Sequence, residues 1–314
     1  MSVPATQLLR VTRIRAVTDR VREIRLADPD GRPLAGYAPG SHLVVTAGGT
    51  RNAYSLTGSG IAPGDYRISV LRTGDDGGSA WLHDVLRAGD LLAVEPPRSA
   101  FRPELAARKS FLVAAGIGVT PILSHLAAAR AWGRPVEVVY GYRPGEAAHL
   151  EEVRQLAGPD LVEAQGRVAL ADALRERMAV QPWGTHAHAC GPAAVLDLFT
   201  ATARAAGWPP ARVHLEHFRA PELSPGRPFT ARLRRSGREF PVPSGTSLLE
   251  AVLAAGVEVP SMCRQGVCGQ CLVPVAAGRV DHRDLVLDEA DRLASTHLLA
   301  CVSRAADTHL ELDL

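Results

Sequence analysis

The sequence predicts a multidomain protein in which an all-β module is followed by a doubly wound α/β module and then by a small cysteine-bearing module. Three observations carry this expectation. The chain has 314 residues, more than one ordinary domain of about 100 to 200 residues accommodates. Its first third is a series of short strand-like runs punctuated by Gly and Pro, and its middle third alternates apolar runs with Ala-rich helical stretches. Four of its five cysteines cluster between Cys263 and Cys301.

In the first module, strand-like runs occupy residues 8–17, 23–26, 42–45, 51–56, 66–72 and 91–95, with turn residues between them. That rhythm belongs to a sandwich or barrel. One short helix is expected near residues 79–87. In the second module, the apolar runs 110–115 and 135–140 read as buried parallel strands. Periodic stretches at 121–131, 169–180 and 193–206 supply the intervening helices, the alternation of a parallel sheet. Three prolines and a glycine between Arg219 and Pro228 then break any regular element. Beyond them, residues 229–235 and 238–242 form a hairpin around Ser236-Gly237, and a helix follows over 247–255. Ser247 and Glu250 have capping-box spacing at its start, and Gly256 can end it. The expected domains are therefore 1–102, 103–221 and 229–314, with 222–228 as linker.

Composition narrows the function. Hydrophobic residues make up 46% and charged residues 22%, the balance of a globular chain. A net charge of +2 with no long basic run argues against nucleic acid as a partner. No apolar run approaches the ~18 residues needed to span a bilayer, and the N-terminus lacks signal-peptide character, so no membrane association and a cytoplasmic location are expected. Clustered cysteines in a reducing compartment more often hold metal than each other.

Cys263, Cys268 and Cys271 have C-x4-C-x2-C spacing, and Cys301 follows after 29 further residues. This is the plant-type [2Fe–2S] pattern. Three thiolates wrap one small cluster and a distant strand brings the fourth, while Gly266 and Gly269 permit tight turns that let N–H groups approach the sulfurs. Tetrahedral zinc is the alternative, but zinc ribbons pair two short C-x2-C hooks and only one occurs here.

Two further stretches read as phosphate cradles. Gly77-Gly78-Ser79 opens the short helix after the strand ending at Arg72; free N–H groups at a helix start, with an arginine as countercharge, suit an anion. Gly116-Ile-Gly118-Val-Thr120-Pro121 follows an apolar strand and leads into a helix, with Pro121 in its first turn. It lacks the third glycine of the dinucleotide fingerprint, yet strand, glycine turn and helix start come in the order that binds pyrophosphate. His282-Arg283-Asp284 is not a kinase loop, because Glu289 stands where asparagine is required. His186 and His188 share a strand face without nearby carboxylate or cysteine partners, and read as ordinary strand residues.

The cysteine segment, with Gly278-Arg-Val-Asp-His-Arg-Asp and Cys301-Val-Ser-Arg, resembles the ferredoxin domain of the phthalate dioxygenase reductase family. The likeness extends over essentially the whole chain. Arg51-Asn-Ala-Tyr54-Ser55 is similar to the family's Arg-x-Tyr-Ser with one residue added, so the family arginine aligns to Arg51 or Asn52, and Arg51 is favoured. Pro97-Arg-Ser-Ala-Phe101 resembles Pro-Arg-Asn-x-Phe, with Ser99 in place of asparagine. His188-Ala-Cys190-Gly191-Pro192 resembles the family's Cys-Gly-Pro, and Glu216-His-Phe218 its Glu-x-Phe. Gln270 stands where members usually carry threonine.

The resemblance implies a ferredoxin-reductase-type antiparallel β-barrel that binds FMN, a doubly wound α/β nicotinamide domain and a β-grasp ferredoxin domain. Arg51, Tyr54, Ser55, Arg72, Gly77, Gly78 and Ser79 would hold FMN, with Ser55 near the flavin N5. Gly116, Gly118, Thr120, Pro121, Cys190, Gly191 and Pro192 would hold NADH, with Phe218 closing over the ring pair. Ser55, Cys190 and Glu216 are the candidate catalytic residues, and Cys263, Cys268, Cys271 and Cys301 the iron ligands. Arg143 and Glu146 leave the choice of NADH over NADPH open, and FMN over FAD rests on the likeness. The order of modules implies electron flow from NADH through FMN to the cluster and on to a separate Rieske-type non-haem iron oxygenase. A haem monooxygenase is the alternative acceptor, and a non-turnover redox-sensing protein the alternative class.

Overall fold

The computed structural model describes residues 6–99, 101–218 and 223–314. It divides into two compact units, residues 1–216 and 217–314. Ala100 of the Pro97–Phe101 segment, residues 219–221 and the first residue of the expected linker, Glu222, lie outside the described residues.

The first unit begins with strands β1 (Gln7–Thr18), β2 (Val21–Ala27), β3 (Ser41–Ala47), β4 (Thr50–Ser55), β5 (Tyr66–Leu71), β6 (Leu91–Val94) and β7 (Arg98–Ser99), and with helix α1 (Gly77–Asp84) between β5 and β6. They form one antiparallel sheet in the order β4-β3-β6-β1-β2-β5, with β7 on β3. The two ends of that path meet. Leu56, just past β4, bridges Ile68 of β5, and Thr57 N donates to Arg67 O at 2.9 Å, so the sheet curls round until its edges touch. Alternation drives the curl: Ile24, Leu26, Ile68, Val70, Leu43 and Val45 face one apolar core.

The same unit continues with β8 (Lys109–Ala115), α2 (Val119–Ala131), β9 (Val136–Tyr142), α3 (Leu150–Ala157), β10 (Leu161–Gln165), α4 (Gly166–Ala179), β11 (Thr185–Cys190), α5 (Ala193–Ala205) and β12 (Val213–Glu216). The strands are parallel, in the order β10-β9-β8-β11-β12. Ile122, Leu123 and Leu126 of α2 and Val153 of α3 fill one face. Leu170, Leu174 and Met178 of α4 and Leu196 and Phe199 of α5 fill the other. This is the doubly wound arrangement. Each buried Leu or Phe contributes about 1.5–3 kcal/mol. β10, α3 and β12 had no counterpart in the sequence reading.

The second unit holds β13 (Phe229–Leu233), β14 (Glu239–Val242), α6 (Leu248–Ala254), β15 (Leu272–Ala277), β16 (Val280–Asp281), α7 (Glu289–Ala294), β17 (His297–Leu299), β18 (Arg304–Ala305) and β19 (His309–Leu312). Its mixed sheet runs β14-β13-β19-β15-β17, with β13 parallel to β19, and Leu248, Leu249 and Val252 of α6 join its core, as in a β-grasp. The capping box forms as expected: Ser247 Oγ accepts from Glu250 N at 3.1 Å while Glu250 Oε2 accepts from Ser247 N at 2.9 Å. Among the described residues, no helix is long and apolar enough to cross a membrane.

Candidate functional site

In the second unit the four cysteines fall into two pairs. A hydrogen bond from Cys268 holds the Cys263 thiol down to about 5, and one from Cys301 likewise lowers Cys271; the donors Cys268 and Cys301 are raised in turn. Gln265 N donates to Cys263 Sγ at 3.3 Å, and the backbones of Val267 and Cys268 also point at that sulfur. Gly266 has φ +72°, and a Cβ there would lie 2.6 Å from Val302 Cγ2 and 3.2 Å from the Asp284 backbone.

The pairing tests the choice between cluster and zinc. Zn–S bonds of about 2.3 Å put tetrahedral sulfurs about 3.8 Å apart, all within reach of one another. Among the described residues, the one group of three or more potential ligand atoms within 4.8 Å of each other is Glu23, His149 and Glu152, so no three cysteine sulfurs are gathered that closely. Two sulfurs here and two there is the donor set of a two-iron cluster, two thiolates to each iron, and the N–H groups around them suit its sulfurs.

Asp284, part of the string dismissed as a false kinase motif, supports this loop. Its buried carboxylate accepts from Val286 N and Leu287 N at 3.1 and 2.8 Å, and Leu285 N donates to Gly266 O at 2.9 Å. It seats residues 284–287 against the cysteine loop. An acid followed two and three residues later by uncapped N–H groups was the available signal.

In the first unit, strand order brings the two nicotinamide motifs together. β9 and β10 lie to one side of β8, β11 and β12 to the other, so the winding reverses between β8 and β11, the position where such sheets bind ligands. Gly116-Ile-Gly118 leaves β8 there and Cys190-Gly191-Pro192 leaves β11, with Ala114 paired to Cys190. A Cβ on Gly118 would lie 2.2 Å from Cys190 O. Thr120 and Pro121 sit in the first turn of α2, whose start carries no side-chain cap.

Cys190 pairs with Glu216 across β11 and β12. Burial pushes the Cys190 thiol well above its usual value, and the neighbouring Glu216 carboxyl, hydrogen-bonded to it, adds to the rise. Burial also pushes Glu216 up to about 8, against the lowering effect of the Cys190 hydrogen bond, and Glu216 Oε2 is buried with no hydrogen-bond partner. A neutral, proton-bearing acid beside a neutral thiol suits an uncharged ring. Phe218 belongs to the second unit and is half-exposed. Arg143 and Glu146, beyond β9, face each other at 3.8 Å and are both exposed.

Of the residues expected to hold FMN, the β4 segment and the glycine turn that starts α1 approach each other. A Cβ on Gly78 would lie 2.5 Å from Thr50 Oγ1 and 2.8 Å from Asn52 Nδ2, so β4 and the glycine turn meet there. No side chain caps α1, which leaves its first N–H groups for an anion. Gly77 has φ +78° in this turn. Ser79 Oγ lies 3.0 Å from Thr73 Oγ1. Arg72 is shared with Asp84 at 2.6 Å and Asp75 at 3.4 Å, and Arg51 is ion-paired to the buried Glu95, which also holds Arg98 at 2.7 Å. Tyr54 is partly buried, which pushes its phenol up to about 12, and Ser55 closes β4 in a buried position. Asn52 and Thr50 are thus as well placed as Arg51. Ser124 Oγ of α2 donates to Gly58 O at 2.8 Å, tying the nicotinamide helix to the segment that follows Ser55.

His186 Nδ1 lies 3.0 Å from His214 Nε2, and His188 is fully buried against Phe101.

Two family models match the chain: the 2Fe-2S iron-sulfur cluster binding domain over residues 231–306, and the N-terminal domain of dimethylamine monooxygenase subunit DmmA-like proteins over residues 92–213. The beta subunit of a heme-dependent oxidative N-demethylase from Ectopseudomonas mendocina (strain ymp) is 43% identical over 98% of both chains. The structure of phthalate dioxygenase reductase, described as modular for electron transfer from pyridine nucleotides to [2Fe-2S], matches 98% of both chains with a TM-score of 0.74 and 33% identity. An intact type IV self-sufficient cytochrome P450 monooxygenase matches 98% of this chain and 41% of its own length, with a TM-score of 0.83 and 32% identity. With its cluster-binding domain, the switch point of its parallel sheet and full-length likeness to oxygenase reductase subunits, the chain belongs to the phthalate dioxygenase reductase-like family.

Proposed function

We propose that this chain takes electrons from NADH and delivers them singly, through FMN and a [2Fe–2S] cluster, to a separate terminal oxygenase. The observation that carries the reading is the two-by-two pairing of the cysteine sulfurs, in a chain that also holds a nucleotide switch point. A flavin held there would supply a two-electron store between a hydride donor and a cluster that takes electrons one at a time. The chain's own residues bind and orient. Gly116, Gly118 and Thr120 present backbone N–H groups to the nucleotide phosphates, Pro121, which has none, fixes the first turn of α2, and Cys190, Gly191, Pro192 and Glu216 form a neutral floor for the nicotinamide. Arg51, Asn52, Tyr54, Ser55 and the N–H groups of Gly77, Gly78 and Ser79 receive the flavin. The cytoplasm, which keeps clustered thiols reduced, is part of the proposal.

The family likeness supports a Rieske-type non-haem iron oxygenase as acceptor. A haem-dependent oxygenase is favoured by one specific observation, the 43% identity over 98% of both chains to a subunit of a heme-dependent N-demethylase. Anaerobic titration with NADH tests the path: flavin absorbance is expected to bleach and the reduced-cluster EPR signal to appear, and a cluster still oxidised under excess NADH would refute it. Mixing the reduced chain with each kind of oxygenase separates the acceptors, by a Rieske EPR signal in one case and by the carbon monoxide complex of ferrous haem in the other.

A further inference from the structure

Outward-facing positions of a curled sheet normally meet water, and β2 and β5 place Glu23, Arg25, Arg67 and Ser69 there, opposite the core residues Ile24 and Ile68. Yet Glu23 is only 1% exposed and Ser69 only 4%. What covers them is the start of α3. His149 Nε2 lies 2.8 Å from Ser69 Oγ, and His149 Nδ1 lies 3.3 Å from Glu152 Oε2. Glu152 Oε1 in turn accepts from Arg67 Nη2 at 2.5 Å. Arg67 then reaches back, donating from Nε to Thr57 Oγ1 at 2.6 Å and from Nη2 to Thr57 O at 3.0 Å. Thr57 is two residues past Ser55.

The other end of this chain of contacts is equally placed. Residues 143–149 leave the C-terminal edge of β9, where folds of this kind read the ribose of a dinucleotide. Tyr140 Oη donates to Ala148 O at 2.8 Å, and His149 adopts the left-handed conformation, φ 56°, which residues other than glycine hold only where contacts impose it. The group is not a cation site. Arg67 already occupies Glu152, and Arg15 donates to Glu23 at 3.0 Å, so arginines supply the positive charge. Burial raises both carboxyls, but Arg15 and Arg67 bring Glu23, and His149 and Arg67 bring Glu152, below the usual range, so both stay ionised.

We propose that Glu152 and His149 are positioning residues that, with Arg67, clamp the nucleotide-reading loop 143–149 to the flavin-lining segment after Ser55, and so set the distance between nicotinamide and flavin. The proposal rests on the NADH-to-flavin reading above. Hydride transfer is sensitive to placement, with a misplacement of about 1 Å costing on the order of a hundredfold.

The test compares Glu152→Ala with Glu152→Gln in the full chain carrying flavin and cluster. Flavin reduction at saturating NADH, followed by stopped flow, is expected to slow at least tenfold in Glu152→Ala and at least threefold in Glu152→Gln, which keeps the shape and one acceptor for Arg67. Flavin-to-cluster transfer, started photochemically without NADH, is expected to stay within twofold of wild type. Amide hydrogen exchange across residues 143–149 is expected to quicken, in cofactor-free chain as well. A Glu152→Ala rate within twofold of wild type, unchanged exchange in the loop, or equal slowing of both transfer steps would overturn the clamp. Should Glu152→Ala fail to fold, Glu152→Gln decides by the same criteria. A wild-type chain whose flavin NADH does not bleach overturns the functional reading instead.

Discussion

Replacing Gly118 by alanine separates two glycines that the sequence motif treats alike. Gly118 has φ −60°, so alanine meets no backbone strain there. The obstruction is steric: the new Cβ would lie 2.2 Å from Cys190 O, 2.4 Å from Cys190 C and 2.7 Å from Gly191 N. Ordinary contact begins at 3.4 Å, so the ends of β8 and β11 must part by about 1.2 Å. No flexible side chain can yield, since every obstructing atom is backbone. Overpacking of this kind costs about 3 kcal/mol, the upper part of the usual range. In a folding unit of this size, that corresponds to a fall in Tm of roughly 6–12 °C. Gly116 is the control: φ is +53° and nothing lies within 4 Å of its Cβ position, so alanine there bears only the left-handed penalty of about 1–2 kcal/mol. Thermal denaturation by circular dichroism and NAD+ affinity by calorimetry read both variants. Gly118→Ala is expected to lose more of each. A Gly116→Ala variant as damaged as Gly118→Ala, or more so, would refute the claim that close approach of the two strand ends builds the cradle.

Glu216→Gln is expected to change the pH dependence of stability. The folded carboxyl, near 8, holds a proton that the unfolded chain loses near 4.5, so wild-type stability falls as pH rises through that window, by at most about 5 kcal/mol. The variant should be no more stable than wild type at pH 5 and more stable at pH 9; parallel melting curves at the two pH values would contradict this. His125 and His188 act in the opposite sense, since burial lowers them to about 4 and about 2, and their contribution is lost as pH falls below 6.5. His125→Gln should therefore flatten the acid limb of a Tm profile between pH 7 and 4, and an unchanged slope would count against it. Cys271→Ser should abolish the visible absorption and EPR signal of the cluster while NADH still bleaches the flavin at the wild-type rate; one zinc per wild-type chain with no labile sulfide would exclude the cluster altogether.

What could be read from the sequence was local or repetitive. The capping box of α6 is legible because Ser247 and Glu250 satisfy each other's backbone within one turn. The apolar strands β8 and β9 are legible because burial on both faces makes them continuous runs. β10 was not, because as an edge strand it buries only Ala164 and its alternation is lost among Glu163 and Gln165. α3 was missed for a related reason: only Val153 and Ala157 are buried, and its remaining face carries charge, some of it against the barrel. The cysteine spacing named the cluster, but not Asp284, whose part depends on a loop folding back onto Gly266. Asn52 was visible only as the less favoured alternative to Arg51, and Thr50 carried no signal; the approach of Gly78 is what brings both to the glycine turn. The Arg67, His149 and Glu152 contacts span 80 or more positions, beyond any pattern in a window.

The placement of contacts follows from what each transfer step demands. A hydride moves only between atoms nearly in contact, about 3–3.5 Å apart, so its donor and acceptor sites must be held in one body. The barrel and the parallel sheet are accordingly one compact unit, joined by buried polar contacts from His125 to Phe101 O at 2.8 Å and from His149 to Ser69 at 2.8 Å, and by partly buried ones from Ser124 to Gly58 at 2.8 Å and from Arg67 to Glu152 at 2.5 Å. Apolar packing alone would tolerate sliding, whereas a buried hydrogen bond that slips leaves an unsatisfied group costing about 1–3 kcal/mol. These contacts therefore fix register as much as they stabilise. Single electrons need no atomic contact, and the cysteine-bearing unit is a separate compact body with its own core. The polar ties between barrel and parallel sheet thus fall where the chemistry requires geometry to fractions of an ångström.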